Sequence, residues 1–302
     1  MSIPLLPLLL VIASSLAWAG FDLQRKLLLQ EVPSVALVFL LTLGSAPLFA
    51  AWTLIVGASL PSTGYWTPAL ASVLLNIFAN LFLLEGMRIV PLSVSVPLLS
   101  LTPVFAALLA IPMLGERPSL AAGAGILMVI AGAVWLNWPR AAKPSQVEKP
   151  EEPAVGHEYE RSRHLKGALF VALTSLFWAM TIPLDKLALT RAAAPFHGTV
   201  LNAGVAAGVL IVLLGQRRQR DLAGVRRVPG LFALALVVSC LALGLQLLAL
   251  PFIFVGTVET LKRGIGNFMS MISGWIFFRE TVTLPKSLAL GLMAVGVGLI
   301  LS

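Results

Sequence analysis

Polar residues line one face of an otherwise apolar stretch near the C-terminus, between Val255 and Glu280. Steps of three and four residues, the spacing of a helix face, align eight polar or small residues. These are Glu259, Lys262, Arg263, Gly266, Asn267, Ser270, Ser273 and Gly274. Lipid cannot satisfy such a stripe, so it must face a cavity or a partner helix. Each cation near the bilayer centre costs roughly 2.5–3.5 kcal/mol, and the simplest task for two adjacent cations is to bind an anion.

The charged residues of this stripe leave two interpretations open. Glu259 can neutralise one of the two cations as an intramembrane ion pair, but one net positive charge then remains. We predict that Lys262 and Arg263 bind the anionic group of a substrate and that Glu259 holds them in place. Asn267 and Ser270 share their face and are predicted to line the same site. The alternative is a structural ion-pair cluster.

Four further residues are candidates for lining a substrate path. Trp18 and Trp178 lie near the centres of two predicted helices, away from the interfacial belt where tryptophan is usually found. They either face a central cavity or pack between helices. Asn76 and Asn80 lie one turn apart on a third helix, where their amides either bond across helices or line the path.

Three charged residues are candidates for coupling or gating. Glu85 and Arg88 are three residues apart and form either a proton-linked gate or an interfacial ion pair. Asp22 is the only carboxylate of the first predicted helix, as a proton-driven antiporter would need. Arg25 and Lys26 follow closely, so a surface cluster is the alternative.

The composition excludes a soluble protein. Of 302 residues, 58% are hydrophobic and 11% charged, whereas soluble domains carry about a quarter charged residues. The net charge of +8 comes from loops that set orientation and meet anionic lipid, so nucleic acid is not an expected partner. Cys240 is the single cysteine, which excludes an intrachain disulfide and a thiolate metal site. Scattered acidic residues predict neither a metal or cofactor site nor an enzyme.

Apolar runs long enough to span a bilayer recur ten times. We expect helices near residues 4–24, 34–57, 67–87, 91–113, 119–138, 166–186, 198–215, 229–250, 255–278 and 284–301. Residues 139–165 are rich in proline and charge and are predicted to be a solvated linker. The expected division is therefore a five-helix unit over 1–138, the linker, and a second five-helix unit over 166–302.

The two units repeat each other. Leu16-Ala17-Trp18-Ala19 matches Leu176-Phe177-Trp178-Ala179, an offset of 160, and Phe105–Glu116 matches Met269–Glu280, an offset of 164. Because five is odd, the second unit must cross the membrane in the opposite sense. The predicted fold is an all-α integral membrane protein with ten transmembrane helices in two inverted five-helix repeats, an architecture that places a site at mid-membrane.

Lysines and arginines favour one end of the bundle, most clearly in the loop 216–228. If that end is cytoplasmic, both termini face outward. We expect a multi-pass protein of the cell (inner) membrane, in contact with membrane lipids. Glycine-rich fifth and tenth helices leave an internal interface and a homodimer both open.

The segments Leu101–Val134 and Trp275–Leu301 resemble the ends of EamA-type repeats in the drug/metabolite transporter superfamily. In addition, Lys262-Arg263 followed by Ser273–Arg279 is similar to the same helix of plastid sugar-phosphate translocators. In that branch a Lys-Arg pair binds the substrate phosphate, so the resemblance implies an anion-binding role for Lys262 and Arg263. Glu259, one turn earlier, departs from that pattern.

These observations together predict a secondary transporter for a small organic anion or zwitterion, with phosphorylated compounds among the candidates. It would work by alternating access around predicted helices 3, 4, 8 and 9. One alternative is a flippase for a lipid-linked phosphate or another amphiphile, which would use the same cations for its headgroup. A second alternative is a proton-coupled exporter of amino acids or drugs.

Overall fold

The computed structural model describes residues 4–90, 98–136, 154–278 and 283–301. Within these ranges the chain forms ten α-helices, which follow the predicted order. They are α1 Leu5–Leu28, α2 Ser34–Ile55, α3 Trp66–Ile89, α4 Thr102–Leu114, α5 Leu120–Leu136, α6 Ala154–Leu189, α7 Ala194–Gly215, α8 Pro229–Ala249, α9 Val255–Phe278 and α10 Leu284–Leu301. Two 3₁₀-helices, Gln219–Arg227 and Leu250–Phe252, precede and follow α8.

Most of these helices are suited to lipid. Six of those in the described ranges are long and apolar enough to cross a membrane, and α4, α5 and α10 are shorter apolar helices. Large apolar side chains point outward, as for Leu54, Ile55 and Leu120, which are 81–95% exposed. Because hydrocarbon replaces water around such side chains, the exposed apolar surface fits a bilayer and not a soluble protein.

The main contacts between helices of the first half and helices of the second half have equivalent contacts in which the two halves exchange roles. Helix α1 packs on α8 and α9, and its counterpart α6 packs on α3 and α4. Helix α2 packs on α7, and α5 packs on α10. Even single hydrogen bonds repeat: Ser14 Oγ donates to the Ala242 carbonyl (2.7 Å), and Thr174 Oγ1 donates to the Ala79 carbonyl (3.3 Å). The prediction of two inverted five-helix repeats is confirmed.

Two glycines bring α5 and α10 into backbone contact. A Cβ atom on Gly125 would lie 2.4 Å from the Gly296 carbonyl oxygen, and a Cβ on Gly296 would lie 2.7 Å from the Gly125 oxygen. No side chain fits at either position without separating the helices. Close approach through small residues is how helices associate in lipid, where there is no hydrophobic force between them.

The helix boundaries differ most from the predicted ones at the start of α6. Helix α6 begins at Ala154, directly after Pro153 and well before the expected residue 166. Its 36 residues extend over about 54 Å, so part of the predicted linker is a helical extension beyond the bilayer. Residues 91–97 of the predicted fourth span lie outside the described residues.

Candidate functional site

Helix α9 carries its charges within the first three turns. The Glu259 side chain is 1% exposed, and its carboxylate contacts the Lys262 ammonium group one turn later. The Lys262 side chain remains 23% exposed. The two charges therefore neutralise each other within α9, and the lysine side chain remains partly exposed.

Helices α1 and α8 complete one side of this site. The Lys262 Nζ atom lies 6.0 Å from the centre of the Trp18 ring, a distance at which the electron-rich face attracts a cation. Trp18 Nε1 in turn donates a 2.9 Å hydrogen bond to Gln246 Oε1. Gln246 is buried in α8, so the amide fixes the indole and the indole faces the lysine.

Helices α4 and α6 complete the other side. Arg263 Nη2 donates to Thr102 Oγ1 (3.4 Å), which lies 2.9 Å from Ser175 Oγ. Thr102 Oγ1 donates its own proton to the Leu99 carbonyl (2.7 Å) and is therefore an acceptor for Arg263. The arginine thus points toward the first half of the chain, away from the Glu259–Lys262 pair.

Two donors of this stripe are buried and have no partner among the described residues. Arg263 Nε and Asn267 Nδ2 have no hydrogen-bond acceptor among the described residues. They lie four residues apart, on the same face of α9. A buried donor without an acceptor costs about 1–3 kcal/mol, so this part of the site is suited to a ligand that brings acceptors.

The start of α9 is held by Glu116. Gly115 ends α4 in the left-handed conformation (φ 69°), and Glu116 follows it. Glu116 Oε2 accepts the Val255 N–H (2.8 Å), while Oε1 accepts from Lys186 Nζ (2.7 Å). Lys186 also donates to the Ile253 carbonyl (2.6 Å). A carboxylate at a helix N-terminus is favourable because the first N–H groups lack intrahelical acceptors. These bonds, here called the Glu116 clasp, tie α4, α6 and α9 together.

The other predicted lining residues make their described hydrogen bonds within their own helices. Trp178 is half-buried in α6, and its carbonyl accepts a hydrogen bond from Thr181 (2.8 Å). Asn76 Nδ2 donates to the Ser72 carbonyl (3.2 Å), and Asn80 Nδ2 donates to the Asn76 carbonyl (2.8 Å). Both amides therefore bond to their own helix, α3.

The coupling candidates lie at one end of the bundle. Asp22 pairs with Arg25 (2.9 Å), and their side chains are 58% and 40% exposed. Glu85 is exposed beside a cavity of about 210 Å³, which is also lined by Pro33, Gln216 and Arg218. The side chains of Arg88 and Ser270 lie outside the described part of the structure.

Sequence reasoning missed part of the site. Gln246 is a lone amide in an apolar helix, and Ser175 and Thr102 are ordinary helix residues. Their importance comes from helix packing, which no local pattern shows. The one available signal was the repeat, since Ser175 lies 160 residues after Ser15.

Comparisons with known proteins agree with this fold. The EamA-like transporter family matches residues 5–138 and 165–302, which is almost the whole chain. The chain belongs to this family. It is therefore a small-molecule transporter of the drug/metabolite transporter superfamily, and its fellow members are transporters and not enzymes. As such it is an integral, multi-pass membrane protein.

Solved structures also match this EamA-like chain. Twenty-nine solved chains match it. One of them, a crystal structure of a protein, aligns with a TM-score of 0.74 at 16% identity, covering 96% of this chain and 94% of that one. At this identity the likeness shows the fold alone. The search of curated proteins found no significant match. The similarity of α9 to plastid sugar-phosphate translocators is not shown by the comparisons.

Proposed function

We propose that this EamA-like protein transports a small organic anion or zwitterion across the cell membrane by alternating access. Lys262 and Arg263 bind the anionic group of the substrate. The observation that carries the proposal is the environment of Arg263, a guanidinium group directed toward α4 whose buried Nε donor has no acceptor among the described residues.

The charges of the site support an anionic ligand. Glu259 contacts Lys262 and cancels its charge, so the three side chains retain one positive charge at Arg263. Among the described residues no carboxylate pairs with Arg263, and its polar partner is the neutral Thr102. Removing a charge from water without a counter-charge is costly. An anion would compensate that cost by charge-assisted hydrogen bonds of about 1.5–3 kcal/mol each.

The position of the site suits alternating access. Its side chains come from α1 and α4 of the first half and from α6, α8 and α9 of the second half. A ligand bound there contacts both halves, so a rocking motion of one half against the other exposes it to either side in turn.

The test is ligand binding to purified protein with a matched set of compounds. The panel contains inorganic phosphate, glycerol 3-phosphate, citrate, glutamate, dodecyl phosphate as an amphiphile and tetraphenylphosphonium as a cation. Thermal stabilisation identifies a ligand, and calorimetry gives its dissociation constant. We expect an anion or zwitterion to bind, and Arg263→Ala to weaken it about ten- to a hundredfold through loss of a charge-assisted bond.

Matched variants separate charge from packing. Arg263→Lys keeps the charge but loses the planar fork, and it should remain impaired if the contact is bidentate. Leu99→Ala, at the repeat position that matches Arg263, should leave affinity unchanged. Equal affinity in Lys262→Ala, Arg263→Ala and the parent protein would show that the charges are only structural. Selective binding of dodecyl phosphate would instead support an amphiphile as the substrate.

A further inference from the structure

A second chain of buried polar side chains links α3, α6 and α7. Asp185 Oδ1 accepts a hydrogen bond from Ser72 Oγ and lies 3.2 Å from His197 Nε2. His197 Nδ1 lies 3.0 Å from the Tyr65 hydroxyl. Tyr65 and His197 are 0% exposed and Asp185 is 6% exposed. Three titratable groups therefore form one hydrogen-bonded chain, here called the Asp185 relay, which is separate from the Lys262–Arg263 site.

The nearby charged groups are already engaged elsewhere. Lys186, next to Asp185 on α6, donates to Glu116 and to the Ile253 carbonyl. The loop after α6 contributes Arg191, which is exposed and donates to the Gly64 carbonyl (3.0 Å).

The helices packed against α6 contribute little further charge. Helix α3 has charged residues only at its far end, α7 has His197 as its one titratable side chain, and α8 and Leu250–Phe252 have no charged residue. The turn after α4 carries Glu116 and the exposed Arg117. Among the described residues, the counter-charge left for the Asp185 carboxylate is the one that His197 gains on proton uptake.

The geometry allows this chain to take up a proton with its heavy-atom contacts in place, while the Tyr65 hydrogen gives up Nδ1 as its acceptor. With a neutral imidazole, Nε2–H donates to the Asp185 carboxylate and Nδ1 accepts from the Tyr65 hydroxyl. After proton uptake, Nδ1–H donates to the Tyr65 oxygen, and only the tyrosine hydrogen has to rotate. The charge of the relay then changes from one negative to zero. Histidine is the side chain whose charge changes nearest to neutral pH.

We propose that Asp185, His197 and Tyr65 bind a coupling proton. Two of their contacts, Ser72–Asp185 and Tyr65–His197, join the first half of the chain to the second. Proton uptake changes the charge at this junction and therefore the relative stability of different arrangements of the halves. Only this consequence for transport rests on the proposed function, because proton binding itself needs no anion.

The first experiment measures the proton directly. The sequence has three histidines, so the double substitution His157→Gln and His164→Gln leaves His197 alone. Nitrogen-15 NMR of labelled histidine in lipid nanodiscs then follows one ring from pH 5 to pH 9. We expect the ring to take up a proton within this range, and Asp185→Asn to change its protonation because this variant removes the carboxylate that faces Nε2. A ring that keeps one protonation state throughout would overturn the proposal.

The second experiment tests whether proton uptake by the Asp185 relay changes the arrangement of the two halves. Spin labels attached through Thr63→Cys and Phe252→Cys, in a Cys240→Ser background, report the distance between exposed sites of the two halves. We expect the distance distribution at pH 5 to differ from that at pH 8.5, and Tyr65→Phe and His197→Gln to reduce the difference. Tyr65→Phe removes one hydroxyl group only, so it remains informative if His197→Gln does not fold. Identical distributions in the parent protein would contradict coupling. Neither readout involves an anion, so failure of the anion proposal is distinguishable.

Discussion

The stretch of α9 that carries the site and its repeat counterpart before α4 correspond in the sequence but differ in their chemistry. At the offset of 164, Lys262 and Arg263 correspond to Leu98 and Leu99. The repeat therefore relates the two pairs of positions, while the charges occur in the second half alone. Two halves of similar structure suit the motion of a transporter. Binding of one charged ligand, in contrast, needs charged residues on one side of the site. The asymmetric residues are accordingly the first candidates for substrate binding.

The Glu116 clasp gives the largest predicted effect. Glu116→Gln keeps the size of the side chain and leaves Lys186 without a carboxylate, although Lys186 is only 15% exposed. Removing one partner of a buried ion pair costs about 3–5 kcal/mol. We expect the free energy of unfolding, measured by denaturant titration in mild detergent, to fall by this amount.

An exposed pair of the same type is the matched control. Glu31 Oε2 accepts from Arg227 Nη1 at 3.2 Å, with side chains 38% and 75% exposed. Glu31→Gln should cost less than about 1 kcal/mol, because solvent screens the pair. Lys186→Met in the Glu116→Gln background should recover part of the lost stability. Equal costs for Glu116→Gln and Glu31→Gln would show that the clasp does not anchor α9.

The two repeat-related tryptophans give a medium effect that tests the asymmetry directly. Trp18→Phe removes the hydrogen bond to Gln246 and weakens the attraction for Lys262, whereas Trp178→Phe removes neither. With a ligand identified from the anion panel, we expect Trp18→Phe to weaken binding by about two- to tenfold, the value of one neutral hydrogen bond. Trp178→Phe should bind as the parent does, and equal losses in both variants would favour a symmetric cavity.

Hydropathy and the repeat were enough to predict the fold. Ten apolar segments and two constant offsets predicted the inverted halves, because a lipid-spanning helix must be apolar over most of its length. The start of α6 at Ala154 was not predicted, because Pro153 and the charges around it are equally typical of a solvated linker. Charged residues can continue a helix into water, and hydropathy does not report this.

The candidate site was only partly accessible from sequence. The stripe of α9 was visible because three charges interrupt an apolar helix. Asp185 was not, since a carboxylate beside a lysine at a helix end has the pattern of an interfacial pair. Its burial depends on Ser72 and His197, which come from two other helices. Contacts between distant segments of this kind have no local signature.

The smallest expected effect concerns the repeated hydrogen bonds across the halves. Ser14→Ala removes the bond to the Ala242 carbonyl, and Thr174→Val removes the bond to the Ala79 carbonyl without changing the shape of the side chain. Side-chain hydrogen bonds between helices in membranes average about 0.6 kcal/mol. The Ser14 bond is shorter, and the single hydroxyl hydrogen of Thr174 is shared with the nearer Phe170 carbonyl (2.9 Å).

Ser14→Ala should therefore cost slightly more than Thr174→Val, and both should cost less than about 1 kcal/mol. Unfolding free energies of the two variants and of the double variant test this. The costs should add, because each bond lies between a different pair of helices and distant sites are usually independent. A cost of several kcal/mol at one position and none at the other would mean that only one of the two junctions holds the halves together. The two repeat-related hydrogen bonds would then contribute unequally to stability, although they are equivalent in the structure. The two halves would then not be equivalent in their motion.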